Sequence, residues 1–429
     1  PGFFSGAADQ TIRGPLFFGR PGPESAQVGS GRFRSINLCS HTLDAWGGKR
    51  YDPSMHVVQI LPALEEGGVE RGTVELNREF VRRGHVSSVI SSGGGLVSVV
   101  EREGGRHWTL DVKSKNPLTA WSRAASLRRL LAEIRPDLIH FRSRVPGWLV
   151  RLANGSLRLP VVSTVHGFNS VSPYSRIMTT GERVICPSTA VLDYVRAHYG
   201  TPRQRLRLIP RGIDPQRFDP AKTDAAFMAD FRRSFALEGR FVVLGVGRIT
   251  QLKGYDVLID ATAAARERLP TIKTVIVGGA EPARAEYAEI LRERVRNLGL
   301  EDHVVFAGSQ SRVADIYACG DVLVSGNRSK PEAFGRSMAE ALAVGCPVIA
   351  TRFGGALDIV REGINGWLVE PGDVAQLADR LVEASRHTLT GLREDALARF
   401  SLDQMVNKTL AVYEEVLAAR RTEKKGEPR

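Results

Sequence analysis

The clearest indication of the fold class is residues 241–279, FVVLGVGRITQLKGYDVLIDATAAARERLPTIKTVIVGG. It begins with an apolar run at 241–248, continues through a helical segment at 254–268, and ends in a second apolar run at 273–279. Two short β-rich runs separated by a segment of helical length predict a strand, a helix and a parallel strand. Because both runs are almost wholly apolar, we expect a sheet that is covered on both faces.

The same alternation continues on both sides of this stretch. Further strands are predicted at 303–309, 321–326 and 347–355, with helices at 284–298, 311–318 and 336–344. Before it, from Met55 onward, strands are predicted at 56–64, 86–92, 137–143, 161–167, 182–188 and 205–214. The sequence therefore predicts an α/β protein with two Rossmann-like, doubly wound parallel-sheet domains that face a cleft.

Changes in composition divide the chain into segments. Residues 1–54 are rich in Gly, Pro and Ser, and 214–240 contains two Asp-Pro pairs. The predicted segments are a disordered leader (1–54), an N-terminal acceptor-side domain (55–213), an interdomain linker (214–240), a C-terminal domain (241–400), a C-terminal helix (401–420) and a disordered tail (421–429).

The charge is unevenly distributed. Residues 55–211 carry 23 Lys and Arg against 12 Asp and Glu, whereas 212–429 carry 30 against 31. A basic first half predicts contact with a membrane surface, a phosphorylated saccharide or nucleic acid, and a solvated basic face is the alternative. No stretch reaches the ~18 apolar residues of a membrane span. The four cysteines form no metal-ligand pattern, so we expect a cytoplasmic protein with reduced thiols.

The loop after the strand at 241–248 has the residue types that bind phosphate. Gly247 lets the backbone approach a ligand closely, and Arg248 and Lys253 precede a helix. In a doubly wound sheet, such loops lead into helix N-termini, whose free N–H groups and positive partial charge favour phosphate. The two cations would hold a diphosphate and stabilise it as a leaving group. The alternative is that both are ordinary surface cations.

The segment PEAFGRSMAE, residues 331–340, supplies two carboxylates. Eight residues at ~100° each leave Glu332 and Glu340 about 80° apart around a helix, and Glu332 is expected to precede that helix. They are therefore not an acid–base pair on one face. Glu332, beside Ala333, Phe334 and Gly335, is expected to accept hydrogen bonds from sugar hydroxyls. Glu340 is expected to accept them from a ribose, unless both carboxylates are simply solvated.

This segment resembles the E-x7-E signature of the family-4 retaining glycosyltransferases of the GT-B fold, of the bacterial surface-polysaccharide or lipopolysaccharide type. The resemblance covers residues 56–418, in the family's order and spacing. It is carried by VGRITQLKGYDVLIDA (246–261), GDVLVSGN (320–327), the stretch 331–373 and SLDQMVNKTLAVYEEVL (401–417). It implies transfer of a hexose-type sugar from a nucleotide diphosphate sugar to a glycan or lipid-linked acceptor, with retention of configuration.

The resemblance also implies roles for residues of the second domain. Arg248 and Lys253 match the residues that bind the donor diphosphate in this family. Glu332 and Glu340 match the residues that contact the donor sugar and the ribose. The last helix would cross back onto the first domain.

In the first domain, Gly67 and Gly68 resemble the glycine-rich loop that approaches the diphosphate across the cleft. His166 matches the family's cleft histidine, which contacts the transferring sugar. The stretches GGVER (67–71) and HFRSRVPGW (140–148) resemble enzymes that build bacterial surface glycans. A lone histidine is otherwise more often structural.

The predicted mechanism needs no cofactor and no metal. No DxD motif stands where a metal-dependent enzyme of this kind needs one, so Arg248, Lys253 and helix dipoles would neutralise the departing diphosphate. A nucleophile for double displacement is not evident, which favours front-face attack. The catalytic prediction consists of His166, Glu332, Arg248 and Lys253.

Several alternatives stay open. The stretch WSRAASLRRLLAEIRP, residues 121–136, is either a surface helix packed on the sheet or a helix that contacts an anionic membrane. The scaffold also suits a nucleotide-sugar epimerase or a phosphorylase. A pI near 9.8 favours a nucleic-acid binder, but no such motif is present, so we expect no nucleic-acid partner. The motifs do not distinguish UDP-hexose, UDP-N-acetylhexosamine and GDP-mannose.

Overall fold

The structure is a computed structural model that describes residues 54–65, 67–280 and 285–426. The predicted leader lies outside the described residues, apart from Ser54, and so do the last three residues of the predicted tail. Among the described residues, no helix combines the length and the apolar character needed to cross a membrane.

The first domain is built on a seven-stranded sheet in which every neighbouring pair is parallel. Its strands are β1 His56–Ile60, β2 Val86–Ser91, β3 Arg106–Thr109, β4 Leu138–Phe141, β5 Val161–Thr164, β6 Arg183–Cys186 and β7 Leu206–Leu208. Its α-helices are α1 Gly68–Arg82, α2 Val97–Arg102, α3 Ala120–Ile134, α4 Arg144–Ala153 and α5 Thr189–Tyr199. The strand order is β3-β2-β1-β4-β5-β6-β7.

The second domain has a six-stranded parallel sheet in the order β10-β9-β8-β11-β12-β13. Its strands are β8 Phe241–Val246, β9 Ile272–Val277, β10 Val304–Gly308, β11 Val322–Ser325, β12 Val348–Thr351 and β13 Gly366–Val369. The remaining helices are α6 Ala225–Ser234, α7 Tyr255–Ala265, α8 Ala285–Asn297, α9 Val313–Cys319, α10 Arg336–Val344, α11 Ala356–Ile359, α12 Val374–Ala384, α13 Leu392–Phe400 and α14 Leu402–Gly426.

The predicted fold class is confirmed, although one strand in each sheet was missed. Both missed strands, β3 and β13, lie at the edge of their sheet. The first of them, RHWT, is only half-buried and lacks the apolar run that marks a strand covered on both faces. An edge strand with one paired side needs less apolar sequence, which explains why β3 was missed. This reason does not apply to β13, GWLV, which is wholly buried and only four residues long.

Each sheet reverses its winding direction once, and this places the loops that can bind a ligand. In the first sheet the reversal lies between β1 and β4, and in the second it lies between β8 and β11. Loops that leave the carboxyl ends of such neighbouring strands diverge and open a crevice. The predicted donor loops follow β8 and β11, whereas Gly67 and Gly68 follow β1.

The chain crosses between the domains twice, and the two crossings are hydrogen-bonded to each other. The Ile213 N–H donates to the Phe400 carbonyl at 2.8 Å, and the Leu402 N–H donates to the Ile213 carbonyl at 2.8 Å. From there α14 packs on the first domain, where Tyr413 and Val406 are buried against Phe80 and other residues of its core.

Two predicted boundaries need correction. The segment 214–240 is not only a linker, because it forms α6 and buries Phe231 and Leu237 in the core of the second domain. The final helix continues to Gly426 rather than ending at 420, since the residues RRTEKK contain no Gly or Pro to stop it.

The position of α3 shows which face of the stretch 121–136 packs inside the protein. Its apolar stripe, with Leu127 and Leu131, is buried in the first domain's core, so this face is not available to a membrane. Arg123 is also buried and donates to the carbonyls of the loop before the helix, at 2.9 Å to Ser114 and 2.8 Å to Asn116. Trp121 stays 70% exposed.

Candidate functional site

The two donor loops of the second domain pack against each other. After β8 the chain passes Gly247, whose carbonyl accepts a hydrogen bond from the buried Tyr255 hydroxyl at 2.8 Å. Gly254 follows with φ +63°, and a Cβ there would lie only 1.9 Å from the Gly326 carbonyl oxygen. Glycine is therefore required at 254, because only its bare backbone fits against the loop after β11.

This close approach brings Lys253 and Glu332 together. Lys253 Nζ donates to Glu332 Oε2 at 2.9 Å, and Asn327 Nδ2 donates to the same oxygen at 3.1 Å. Burial alone would raise the pKa of the Glu332 carboxyl, but the Lys253 charge and these hydrogen bonds lower it below its ordinary value. Glu332 is therefore a carboxylate at neutral pH. Each side chain of the ion pair is about one-quarter exposed and can still meet a ligand.

Glu332 precedes α10, as the sequence predicted, because Gly335 takes φ +101° and the helix begins at Arg336. Phe334 is 3% exposed and packs against Phe400 with ring centroids 5.5 Å apart, so its side chain supports the loop. Ala333 packs against the hydrophobic core of the first domain. The tip of this loop therefore lies against the first domain.

Glu340 is held by neighbours on its own side of the cleft. Arg336 Nε donates to Glu340 Oε1 at 3.1 Å, and the Tyr317 hydroxyl donates to Oε2 at 3.4 Å. The same guanidinium forms a bidentate pair with Glu75 on α1 of the first domain, at 2.8 and 2.9 Å. A Cβ on Gly68 would lie 3.9 Å from Arg336 Cδ. The glycine-rich loop and the start of α10 thus face each other across the cleft.

His166 lies after β5, between two arginines of the first domain. Arg211 Nη2 donates to His166 Nδ1, and Arg142 Nε is 3.5 Å from His166 Nε2. Burial, with the charges of Arg211 and Arg142, lowers the pKa of this imidazole well below its ordinary value of 6.5. His166 is therefore neutral at physiological pH. A neutral imidazole accepts at only one nitrogen, so the tautomer of His166 decides which of the two arginines it accepts from.

Most of the predicted polar residues therefore fall into three groups. In the first, Lys253 contacts Glu332. In the second, Arg336 lies between Glu340 and Gly68, and in the third, His166 lies between Arg142 and Arg211. Arg248 lies in the exposed part of the loop after β8.

Sequence reasoning missed five residues of these groups: Glu75, Arg142, Arg211, Asn327 and Arg336. Arg336 stands inside PEAFGRSMAE and Arg142 stands inside HFRSRVPGW, so both belong to stretches that the resemblance to the family includes. Nothing in the local pattern indicated that either would be buried or cross the cleft.

Comparisons with known proteins match this arrangement. Residues 66–217 match the family model described as Glycosyltransferase Family 4, and residues 227–395 match the one described as Glycosyl transferases group 1. A D-inositol 3-phosphate glycosyltransferase from Acidothermus cellulolyticus is 31% identical over 343 residues, which are 72% of this chain and 75% of that protein.

Solved structures share the two-domain architecture. A glycosyltransferase from Rickettsia africae superposes with a TM-score of 0.76 at 28% identity, covering 85% of this chain and 99% of its own. Anabaena Alr3699/HepE, solved in complex with UDP, has a TM-score of 0.74 at 23% identity and covers 84% of this chain and 100% of its own. At that identity the Anabaena structure shows likeness of fold.

Proposed function

The chain belongs to glycosyltransferase family 4, and from that premise we propose that it moves a hexose-type sugar from a nucleotide diphosphate sugar to an acceptor hydroxyl. The observation that carries this proposal is the contact of Lys253 with Glu332 where β8 and β11 diverge. A cation and a carboxylate at that position suit the two parts of the donor, its diphosphate and its sugar.

The departing diphosphate is stabilised by positive charge from the second domain. Lys253 and Arg248 follow β8, and the N-terminus of α10 adds the free N–H groups of its first turn. These groups neutralise charge as the bond between the anomeric carbon and the phosphate oxygen breaks. We propose that they serve in place of a metal ion, so that transfer proceeds in the presence of a chelator.

The sugar is held by Glu332 and His166. The Glu332 carboxylate accepts hydrogen bonds from sugar hydroxyls, and the neutral His166 contacts the transferring sugar. The acceptor oxygen bonds to the anomeric carbon on the face that the diphosphate leaves. Its proton passes to the departing phosphate oxygen, and this path retains the anomeric configuration.

The acceptor is proposed to be a glycan or a lipid-linked saccharide of bacterial surface-polysaccharide or lipopolysaccharide synthesis. A peripheral contact with an anionic membrane belongs to the same proposal. This membrane contact is supported by a small exposed patch. In it Leu118 is 89% exposed and Trp121 is 70% exposed, and the exposed Lys113 and Lys115 stand beside them in the chain. Sedimentation with anionic but not neutral vesicles, lost in Trp121→Ala, is the expected result. Equal binding to both vesicle types would remove the electrostatic contact.

A nucleotide-sugar panel tests the main proposal. Thermal shifts with UDP-glucose, UDP-N-acetylglucosamine and GDP-mannose identify the donor, since a ligand at ~100 times its dissociation constant adds about 2.7 kcal/mol. Transfer from that donor in EDTA, with release of the nucleoside diphosphate, is the expected activity. Formation of a free epimer without acceptor, or a requirement for Mg²⁺ or Mn²⁺, would contradict the proposal.

A further inference from the structure

Two buried arginines lie at the cleft edge of the first domain. Arg142 follows β4 and is 3% exposed, and Arg211 lies beyond β7 and is 8% exposed. Among the described residues, none forms an ion pair with either guanidinium within 4.0 Å. Buried charges in proteins are normally paired, because a cation taken out of water loses its hydration. Two such cations side by side are therefore unusual.

The protein groups that the two arginines touch are neutral. Arg142 Nη1 donates to Gln59 Oε1 at 2.5 Å, and Arg211 Nη2 donates to His166 Nδ1. Arg142 Nε donates to His166 Nε2 at 3.5 Å, so the imidazole lies between the two guanidinium groups. A neutral imidazole has one acceptor nitrogen, so it can satisfy only one of the two arginines at a time.

The donors converge on one side of α1. A Cβ on Gly72 would lie 3.6 Å from Arg211 Nη1 and 4.0 Å from Arg142 Nη2. At Gly72 no side chain stands between the backbone of α1 and the two guanidinium groups. Arg336 of the second domain adds to the positive potential at Arg211.

The nearest carboxylates do not neutralise this cluster. Glu75 and Glu70 act on Arg211 only at a distance, and Glu75 is already bound by Arg336. Burial first, and then Arg142 and Arg336, lower the pKa of Arg211 to about 9, while burial lowers the pKa of Arg142 to about 10. Both values lie above neutral pH, so both side chains remain charged.

We infer that Arg142 and Arg211 bind an oxyanion carried by the acceptor, so that the acceptor is a sugar or polyol with a phosphate or carboxylate group. This inference rests on the proposed function, since it assigns the substrate class to the acceptor side of the same cleft. Paired guanidinium groups match the geometry of phosphate and carboxylate oxygens. The anion would supply the negative charge that the protein does not place beside them.

Kinetics with a matched acceptor panel test the inference. The panel consists of glucose, fructose and myo-inositol, their monophosphates, and glucuronate. The variants are Arg142→Gln and Arg211→Gln, with Arg196→Gln as control, because Arg196 is an exposed arginine on α5 paired with Asp193 at 3.8 Å. All three remove one positive charge from the same domain.

We expect the wild type and the control to favour the anionic acceptors. Each cluster variant should lower kcat/KM for them by roughly 30- to 100-fold, because a charge-assisted bidentate contact is lost. The loss should be larger for the anionic acceptors than for the neutral sugars, and the dissociation constant for UDP or GDP should change less than about threefold. The ratio of kcat/KM for the sugar phosphates to kcat/KM for glucuronate shows whether the site prefers a phosphate or a carboxylate.

A binding measurement separates this inference from the proposed function. Inorganic phosphate at constant ionic strength should raise the Tm of the wild type and of Arg196→Gln, but not that of Arg211→Gln. If Arg211→Gln fails to fold, Arg211→Met, which keeps much of the aliphatic stem, takes its place. This measurement needs no donor, so it reports on the cluster even if no nucleotide sugar supports transfer.

Three results would overturn the inference: preference for neutral acceptors, equal phosphate shifts in wild type and Arg211→Gln, or a loss of nucleotide binding as large as the loss of acceptor turnover. The last result would assign the arginines to the donor. In the first two cases the proposed glycosyl transfer would stand.

Discussion

Arg336 at the start of α10 and Glu75 on α1 form a bidentate ion pair across the cleft, with N–O distances of 2.8 and 2.9 Å. Both side chains are largely buried, at 14% and 11% exposure. Because Arg336 also binds Glu340, the pair joins the predicted ribose contact to the glycine-rich helix of the other domain. A change in the distance between the two domains would therefore also disturb Arg336 and Glu340 at the predicted donor site.

Breaking this pair should destabilise the protein. Glu75→Gln removes the cross-cleft partner of Arg336 and leaves it paired with Glu340 alone, so we expect a loss of about 1–3 kcal/mol in the free energy of unfolding, measured with urea. The double variant Glu75→Gln/Arg336→Met should lose less than the sum of the single variants. As a control, Arg268→Gln breaks an exposed pair with Asp379 and should cost at most ~1 kcal/mol. Strict additivity in the double variant would show that the pair is not coupled.

Removing the charge of Glu332 should separate sugar transfer from nucleotide binding. Glu332→Gln keeps the shape but weakens the acceptor for sugar hydroxyls, so we expect kcat to fall on the order of 100-fold. The dissociation constant for the nucleoside diphosphate alone should hardly change. Glu370→Gln, at an exposed carboxylate that pairs with Arg352, is the matched control. Full turnover in Glu332→Gln would remove Glu332 from the site.

The pH dependence of donor binding should depend on Lys253. In the wild type the Glu332 pKa lies below its ordinary value of 4.5, so the carboxylate stays charged as the pH falls from 7 to 5. In Lys253→Met the burial remains but the compensating charge is gone, so the pKa should rise. Donor affinity of the variant, measured by calorimetry between pH 4 and 8, should therefore begin to fall at a higher pH. Parallel profiles would contradict this coupling.

Folding stability should decrease on mild acidification. Burial lowers the pKa of His140 and His166 well below 6.5 in the folded state, with Arg142 and Arg211 adding to the shift. Below pH 6.5 the unfolded chain takes up protons at these positions and the folded chain does not, so stability is lost as the pH falls.

Calorimetry checks this directly. Unfolding enthalpies at pH 6, measured in buffers of different ionisation heat, should show net proton uptake on unfolding. Release of protons, or a Tm that rises between pH 7 and 5, would contradict the expectation.

Much of the fold was predictable because its signals are local. The apolar runs at β8 and β9 mark strands buried on both faces, and Gly335 marks the start of α10 at the correct residue. The edge strand β3 was missed because its half-exposed sequence lacks such a run. In the segment 214–240 the two Asp-Pro pairs predict a linker, whereas the helix α6 within it is buried through contacts with the second domain.

The two parallel sheets and the loops that carry Lys253 and Glu332 follow from local patterns, since strand period, glycine placement and helix starts depend on neighbouring residues. The contact of Arg336 with Glu75, 261 positions away, and the burial of Arg142 and Arg211 around His166 arise in three dimensions. Those contacts depend on strand order and domain closure. No local pattern encodes them, because the free energy of a buried charge is set by the groups that surround it in space.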